Sequence, residues 1–476
     1  MGGPSVGGVT TALALRRRSA IALSGKEIAE AVAGGLALAG LLTLATGVAL
    51  AAAERPSFLA PTLVHGDPAW LAGPLAGRWP SLTSQVSTLR WDATLALLGM
   101  LACWALATAC ARRAGLAAVL VTAFAADAVL LLAPPFSLGD TFNYLHYGRM
   151  APLYGLNPYT HLPIAASADP AYRFTTWHHL FSPYGPLFTL GTELLAPLGL
   201  PAAYWTLKVA VGLAAAGVAV LVALLARQLG RDPATAVAFV ALNPLVLVYG
   251  VGGVHNDVFV LVLLLAGALL VLRRREVLGG TAWAAAAAVK LSAGLALPIL
   301  VLGAGRRGRA AAGVALGGAA ALVLVLLAFG GHLPNDGVQA RLVAGLSPAN
   351  LLGLATGHGG LDAALRGELR VALALGTAGL CAWTWRTRGW APAAAWAAAL
   401  LILTLGWVMP WYVLWVLPFA ALSRSAAPKA AAVVLTVVLL AMWAPAGVPT
   451  LHHLGWTPTH TPVGHQNSVY LHRLLR

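Results

Sequence analysis

Long apolar runs constrain this chain more than any other feature of its sequence. Hydrophobic residues make up 59% of the 476 residues, whereas charged residues make up only 9%. A soluble domain carries roughly a quarter charged residues, so a chain of this length could not cover its surface in water. Much of that surface must face lipid, and the sequence therefore predicts an all-α polytopic membrane protein.

The apolar runs divide into a series of candidate membrane spans, each near the roughly 20 residues that a helix needs to cross the hydrocarbon core. With the shorter runs included, we predict a bundle of about 11 to 13 transmembrane helices with re-entrant or interfacial helices between them. No internal repeat is evident, which disfavours an inverted-repeat transporter. The candidate spans are residues 31–53, 93–111, 114–135, 202–226, 234–250, 258–272, 310–330, 369–385, 390–408, 412–422 and 430–446.

Short basic clusters between the spans predict their orientation. The formal net charge is +15, but the arginines occur in small groups, such as Arg112 with Arg113 and Arg306 with Arg307. This is the positive-inside pattern of a multi-pass plasma-membrane protein, so nucleic acid is not an expected partner. The predicted organisation is a cytoplasmic segment (1–30), one transmembrane domain without a soluble domain (31–447), extracytoplasmic loops (54–92, 136–201, 331–368) and an extracytoplasmic tail (448–476).

A single orientation rule fits every basic cluster only if two apolar segments, 186–200 and 279–303, do not cross the membrane. Glu193 and the bracketing prolines favour an interfacial or re-entrant helix for the first segment. In the second, two half-helices meeting near Lys290 would keep the following arginines inside. The first half would rise about 14 Å, which places Lys290 near mid-membrane. An ionisable residue at that depth is a functional-site hypothesis.

The strongest candidate for chemistry is the stretch 139–149, which directly follows a span and reads Gly-Asp-Thr-Phe-Asn-Tyr-Leu-His-Tyr-Gly-Arg. If a helix begins at Asp140, then Asp140, Tyr144 and Tyr147 share one face. A carboxylate beside aromatic rings suits a sugar, because it accepts a hydroxyl proton while the rings stack on C–H surfaces. The alternative, of equal weight from spacing alone, is that Asp140 only caps the helix.

Other polar groups at span ends have both functional and structural interpretations. The Pro-Tyr-Gly-Pro sequence at 183–186 is a rigid turn, for which a re-entrant turn is favoured over direct substrate contact. His255, Asn256 and Asp257 at a span mouth could bind a phosphate or a sugar, or could cap a helix.

Two further features belong to the spans themselves. Trp411 and Tyr412 suit an interfacial aromatic belt as well as a binding site. Asp127, inside the third span, is expected to pair with a buried cation.

Taken together, these motifs resemble the actinobacterial polyprenol-phosphate-mannose-dependent α-(1→6)-mannosyltransferases of the glycosyltransferase C superfamily. The resemblance runs from about Asp140 to Asp257, and two later segments extend it. Its elements are the Asp140 stretch, Gly-x-Asn-Pro-Tyr at 155–159, Tyr-Gly-Pro at 184–186, Asn-Pro at 243–244, His-Asn-Asp at 255–257, Ala-Val-Lys at 288–290 and Pro-Trp-Tyr at 410–412.

The resemblance implies an inverting transfer of a sugar, expected to be mannose, from a polyprenyl-phosphate donor to a glycan or glycolipid acceptor on the extracytoplasmic face, as part of cell-envelope biosynthesis. It makes Asp140 the catalytic base. Candidates for binding the donor phosphate are Lys290, His255 and Arg149. Candidates for binding the sugar or the acceptor are Tyr144, Tyr147, Tyr159, Tyr184, Asn256, Asp257, Trp411 and Tyr412. No metal ligands and no cofactor are assigned, and a divalent cation stays open.

Two other functions stay open from the sequence. A polyprenyl-phosphate-pentose transferase, for example of arabinose, would need much the same architecture. A transporter or flippase of lipid-linked sugars would use Asp127 and Lys290 to mark its pathway. Against transport, the polar residues cluster on one face, whereas alternating access places them near the midplane.

Overall fold

The computed structural model describes residues 24–54, 68–79, 86–136, 140–335, 337–457 and 460–475, and within these ranges the chain is helical, without a β-strand. Residues 1–23 of the predicted cytoplasmic segment lie outside the described residues. The helices in chain order are α1 (Gly25–Ala53), α2 (Ala69–Ala72), α3 (Val86–Ala114), α4 (Leu116–Leu132), α5 (Asp140–Tyr154), α6 (Pro186–Glu193), α7 (Leu200–Gln228), α8 (Pro233–Ala241), α9 (Asp257–Leu272), α10 (Glu276–Val289), α11 (Leu297–Gly303), α12 (Arg307–Phe329), α13 (Pro348–Ala355), α14 (Ala363–Thr387), α15 (Trp390–Thr404), α16 (Leu417–Leu422), α17 (Ala426–Trp443), α18 (Gly447–His453) and α19 (Pro462–Leu475).

Five of the described helices are long and apolar enough to cross a membrane, namely α1, α3, α7, α12 and α17. Shorter apolar helices of 10–17 residues, among them α4, α9 and α15, fill the space between them. The predicted all-α polytopic membrane fold is therefore confirmed. The predicted span 369–385 lies in α14, which is 25 residues long but is not one of the five.

The predicted span 234–250 is wrong as a continuous helix. Helix α8 ends at Ala241, and a π-helix follows at Val246–Val251. Pro244 cannot donate a backbone hydrogen bond and disfavours helical geometry in the residue before it. Instead, the Asn243 side-chain oxygen Oδ1 accepts hydrogen bonds from the backbone N–H groups of Leu245 and Val246, at 3.0 and 3.4 Å. The break turns the chain towards the His255 segment.

The chain between α9 and α12 enters the bundle and returns to the face where it began. Helix α10 ends before Lys290, whose backbone is extended, and a 3₁₀ turn and α11 follow. A β-carbon built at Gly305 would lie 3.2 Å from Nη1 of Arg274, so the two basic clusters that flank the segment are neighbours. The predicted pair of half-helices meeting near Lys290 is therefore present.

Helices α10 and α12 pack side by side with their backbones nearly touching. A β-carbon at Gly280 would overlap the carbonyl oxygen of Ala310, and one at Gly313 would overlap that of Val277. Small residues permit such close approach between membrane helices. Because α10 has 14 residues, Lys290 lies about 20 Å along it from the arginine-rich end.

The segment 186–200 does not form one long helix. Helix α6 has 8 residues and is followed by a short 3₁₀ turn at Ala196–Leu198. Eight residues rise only about 12 Å, far less than the hydrocarbon core. The observed helix therefore has the length expected of an interfacial or re-entrant element.

Candidate active site

A polar cleft opens where α5, the 183–186 turn, the break after α10 and the segment 405–415 come together. It holds about 1020 Å³ of empty space, counting its open mouth. The predicted site residues that line it are Asp140, Tyr144, Tyr184, Lys290, Trp411 and Tyr412. Six side chains from four separate segments of the sequence thus share one wall system.

Asp140 begins helix α5, and its carboxylate faces the cleft with a partial hydrogen-bond shell. Asn143 Nδ2 donates to Oδ1 at 3.2 Å, and the Tyr184 hydroxyl donates to the same oxygen at 3.3 Å. The other oxygen, Oδ2, lies 3.6 Å from His255 Nδ1, too far for a hydrogen bond. One carboxylate oxygen is therefore oriented, while the second has no strong donor among the described residues.

Burial raises the pKa of Asp140 above its ordinary value, although the hydrogen bond from Asn143, the Lys290 charge and the hydrogen bond from Tyr184 oppose the rise. Burial also lowers the pKa of His255 well below its ordinary value, and the nearby Lys290 charge adds to this effect. A neutral imidazole cannot form an ion pair with Asp140. The carboxylate is thus a stronger proton acceptor than an exposed aspartate.

Behind this carboxylate, His255 is held by aromatic contacts. Its ring stacks on Trp411 with centroids 3.4 Å apart, and its Nδ1 lies 3.4 Å from the Tyr144 hydroxyl. The side chain is fully buried and does not line the cleft. His255 therefore supports the wall of the cleft rather than presenting a donor to it.

Lys290 supplies the cationic side of the cleft. Its Nζ donates to both oxygens of Asp257, at 2.8 and 3.0 Å. Asp257 is fully buried and also accepts a 2.6 Å hydrogen bond from Trp415 Nε1. The Lys290 side chain is 20% exposed and lies 5.3 Å from the ring centre of Tyr412. The ammonium is anchored from behind and still reaches the cleft.

Among the cleft residues that the sequence did not assign to the site are Trp177, Gln339, Trp407 and Trp415. Trp177 and Trp407 meet edge to face, with ring centroids 6.3 Å apart. Trp177 lies far in the chain from Trp407 and Trp415, so no local motif joins it to them. Only a three-dimensional arrangement brings these rings to the cleft that holds Asp140.

Arg149 lies outside the cleft. Its Nε donates to both oxygens of buried Asp169, at 3.1 and 2.8 Å. Burial favours the neutral acid, but the polar contact with His146, the hydrogen bonds from the Ala171 N–H and Arg149, and the Arg149 charge outweigh it and hold the pKa of Asp169 at about 2. Arg149 is therefore committed to folding the 154–174 loop and is not available to a donor phosphate.

Two further predicted binding residues make internal hydrogen bonds, and a third is buried. The Tyr147 hydroxyl donates to the Leu180 carbonyl at 2.6 Å, and the Tyr159 hydroxyl donates to the Tyr184 carbonyl at 2.8 Å. Asn256 is fully buried, and neither of its side-chain polar atoms has a partner in the described part of the chain. These residues shape the loop beneath the cleft but do not line it.

Gly185 fixes the distance between the Tyr184 turn and the break at Lys290. Its N–H donates to the Val289 carbonyl at 3.1 Å, and a β-carbon there would overlap the carbonyl oxygen of Ala288. The rigid turn predicted at 183–186 therefore docks directly on the end of α10. This contact holds the Asp140 side and the Lys290 side of the cleft at a fixed separation.

We expect Gly185→Ala to destabilise the protein by about 1–3 kcal/mol, because an added methyl group must displace backbone atoms that cannot rotate away. Thermal unfolding of the purified protein in detergent measures the effect. Gly191→Ala is the matched control, since a β-carbon there meets nothing within 4 Å. Equal unfolding temperatures for the two variants would contradict the docking described here.

An apolar groove continues from the cleft into the helix bundle. It holds about 430 Å³ and lies between α9, α15 and the 3₁₀ turn that follows Lys290. Ser292, Leu401 and Trp415 line both the cleft and the groove. A molecule with a charged head at Lys290 could therefore place an apolar tail in this groove.

Asp127 and the cation nearest to it lie in a separate groove, away from the cleft. Lys208 lines the same groove as Asp127, but its Nζ donates to the Ala133 carbonyl and to the Tyr204 hydroxyl. No ion pair to Asp127 is present among the described residues. The described residues also contain no group of three or more metal-ligating side chains placed to hold a metal ion.

Comparison with known proteins decides the family. The sequence profile described as "Alpha-(1->6)-mannopyranosyltransferase, N-terminal domain" matches residues 44–306, more than half of the chain. The chain belongs to the alpha-(1→6)-mannopyranosyltransferase family. The match includes Asp140, His255 and Lys290, and it ends before the Trp407–Trp415 wall of the cleft.

Individual members of the alpha-(1→6)-mannopyranosyltransferase family resemble the chain over shorter stretches. Alpha-(1→6)-mannopyranosyltransferase A of Mycobacterium tuberculosis is 35% identical over 186 residues, which is 37% of this chain and 34% of the relative. The protein of the same name in Corynebacterium glutamicum is 30% identical over 189 residues, 38% of this chain and 37% of the relative. The chain thus aligns with about a third of the length of these curated relatives. No solved structure matches it.

Proposed function

We propose that the chain is a membrane glycosyltransferase that moves a mannosyl residue from a polyprenyl-phosphate donor to a glycan or glycolipid acceptor. The observation that carries this proposal is the shared cleft, which holds a basic carboxylate, an anchored ammonium and the entrance to an apolar groove. Membership of the alpha-(1→6)-mannopyranosyltransferase family supports mannose as the sugar.

In the proposed reaction, the acceptor hydroxyl attacks the anomeric carbon and Asp140 takes its proton. The bond between the anomeric carbon and the phosphate oxygen breaks, and the polyprenyl phosphate leaves with the electron pair. The developing negative charge on this leaving group lies near the Lys290 ammonium. A single displacement inverts the anomeric configuration. Asp257, which both Lys290 and Trp415 engage, is not free to act as a nucleophile.

The donor's lipid tail fits the groove between α9 and α15. That groove has almost entirely apolar walls, and it begins at Ser292 beside Lys290. Burial of isoprenoid carbon there would contribute affinity in proportion to the area removed from water. The phosphate would then lie at the junction of groove and cleft, where Lys290 is held by Asp257.

The acceptor is expected to enter past the rim formed by Trp177 and Trp407. Both rings line the cleft, and their edge-to-face contact leaves an amphipathic surface against which a sugar can stack. The adjacent Trp411 and Tyr412 extend this surface towards Asp140. We therefore assign acceptor contacts to these aromatic side chains, in place of Tyr147 and Tyr159.

The distribution of charge supports an extracytoplasmic orientation of the cleft. The cleft lies at the end of the bundle opposite the clusters around Arg274 and Arg306, which the positive-inside rule places in the cytoplasm. Helix α19 of the tail packs near the cleft, because Leu474 accepts hydrogen bonds from the N–H groups of His178 and His179. Labelling of introduced cysteines with a membrane-impermeant reagent in intact cells tests this orientation.

Incubation of the purified protein with a panel of polyprenyl-phosphate sugars tests the sugar assignment. With the mannosyl donor, we expect the mass of a mannan-type acceptor to increase by one hexose. Parallel reactions with and without a chelator test whether transfer needs a divalent cation. If only the arabinosyl donor reacts and the acceptor mass increases by one pentose, the donor sugar is arabinose and not mannose. Movement of intact lipid-linked sugar between leaflets without any product would favour a flippase.

The pH profile of transfer reports the protonation of Asp140. The raised pKa means that the carboxylate is lost at a higher pH than for an exposed aspartate. On acidification, kcat/KM should therefore begin to fall at a higher pH than the ordinary aspartate pKa of about 3.9 would give. Tyr184→Phe removes a hydrogen bond that lowers this pKa, so it should move the acid limb further upward. Tyr147→Phe should leave the limb in place, because its hydroxyl bonds to Leu180. Identical acid limbs in all three proteins would contradict the assignment.

A further inference from the structure

A second concave site lies at the end of the bundle opposite the cleft. It holds about 1370 Å³, counting its open mouth, between the ends of α14, α15 and α16 and the start of α17. Helix α15 connects the two sites: Trp390 and Trp396 line this one, whereas Leu401 lines the cleft. Nothing in the proposed transfer reaction uses it.

Three arginines from three separate segments converge on this site: Arg231, Arg388 and Arg424. Arg231 Nε is buried and has no hydrogen-bond partner in the described chain. Arg388 holds a left-handed backbone with φ of 62°, and one of its guanidinium nitrogens donates to the Ala304 carbonyl. No carboxylate pairs with any of the three within the residues that the structure describes.

The nearest acidic residue in sequence is already engaged elsewhere. Asp232 accepts hydrogen bonds from the backbone and the hydroxyl of Thr235, and its other oxygen lies 3.9 Å from Arg112. The first turn of α17 also brings Lys429 close enough to Arg231 for their charges to repel. Cations placed together without a counter-ion within the described chain favour the binding of an anion from outside it.

The walls between the arginines are those of a lipid site. Trp383 and Trp396 are 42% and 37% exposed, and tryptophan favours the boundary between hydrocarbon and headgroups. Leu380 and Leu422 supply apolar surface at the same site. A free phosphate ion would use the arginines but would leave these apolar walls bare.

We propose that the pocket formed by Arg231, Arg388 and Arg424 binds the phosphate of an anionic glycerophospholipid in the leaflet opposite the catalytic cleft. The guanidinium groups donate to the phosphate oxygens in the forked geometry that arginine favours. The tryptophans lie along the glycerol region, and the acyl chains follow the apolar walls between the helices. Basic pockets between membrane helices recognise anionic headgroups in this way.

Native mass spectrometry of the purified full chain with phosphatidylglycerol or phosphatidylcholine tests the proposal. We expect wild type to retain phosphatidylglycerol preferentially, and Arg231→Gln combined with Arg424→Gln to weaken its retention about 20-fold. The matched control combines Arg273→Gln with Arg309→Gln, which removes the same charge from exposed arginines outside the pocket. This control should change retention less than about twofold.

Three results would overturn the proposal. Equal losses in the two double variants would mean that only general surface charge attracts the lipid. Unchanged phosphatidylglycerol retention in the pocket variant would mean that the lipid binds elsewhere. Displacement of the lipid by millimolar inorganic phosphate, with phosphate retained in its place, would assign the pocket to a soluble anion. The thermal unfolding temperature of both variants checks that the comparison is between folded proteins.

Discussion

Asp140→Asn is expected to lower the rate of mannosyl transfer by about 10²- to 10⁴-fold, the usual contribution of a general base. The amide keeps the shape of the side chain and can still accept a hydrogen bond from Tyr184, but it cannot take a proton. Donor binding and thermal stability should therefore stay close to those of wild type. The transfer rate of the protein in nanodiscs measures the loss of catalysis, and the donor affinity measures whether donor binding is kept.

Glu193→Gln provides the matched control for this substitution. Glu193 lies at the end of α6 and does not line the cleft. Burial raises the pKa of its carboxyl to about 7, so the carboxyl is only partly ionised near neutral pH and the amide is a close substitute for it. Its variant should transfer mannose at nearly the wild-type rate. Full activity in Asp140→Asn would remove Asp140 from the mechanism.

Loss of the Lys290 ammonium should affect both stability and donor binding. Lys290→Ala leaves the fully buried Asp257 without its cation, which is expected to cost about 3–5 kcal/mol. It also removes the positive charge proposed to bind the donor phosphate, for which we expect at least a tenfold loss of affinity, or about 1.4 kcal/mol. Unfolding temperature and donor titration separate the two effects.

A neutral pair distinguishes the structural role of Lys290 from its catalytic role. Lys290→Met together with Asp257→Asn removes both charges, and asparagine can still accept the hydrogen bond from Trp415 Nε1. We expect this double variant to recover most of the lost stability while transfer stays low. Recovery of transfer along with stability would show that Lys290 serves only to neutralise Asp257.

The sequence was most informative where one chemical rule acts over a long stretch of chain. The break at Lys290 followed from keeping all arginines on one side, and the structure has that break with Arg274 beside Gly305. Helix α5 begins at Asp140, where the stretch after the preceding span allowed a surface helix to begin. The predicted span 234–250 failed although Pro244 carried the signal for its interruption, since proline ends regular helix.

Long-range partnerships lay beyond the sequence. Arg149 has the chemistry of a phosphate ligand, and only the folded 154–174 loop brings Asp169 against it. Trp177 is far in the chain from Trp407 and Trp415, and tryptophans are common throughout a membrane protein. Side chains that meet only through tertiary packing have no fixed spacing, so the aromatic wall of the cleft required the structure.

The central claim is tested most directly by one transfer assay that follows both products. Wild-type protein in nanodiscs is incubated with polyprenyl-phosphate mannose and a mannan-type acceptor, and released polyprenyl phosphate and extended acceptor are quantified by mass spectrometry. We predict that the two products form one for one and that both disappear in Asp140→Asn. Release of polyprenyl phosphate without extension of the acceptor, or no reaction with any sugar donor, would contradict the account.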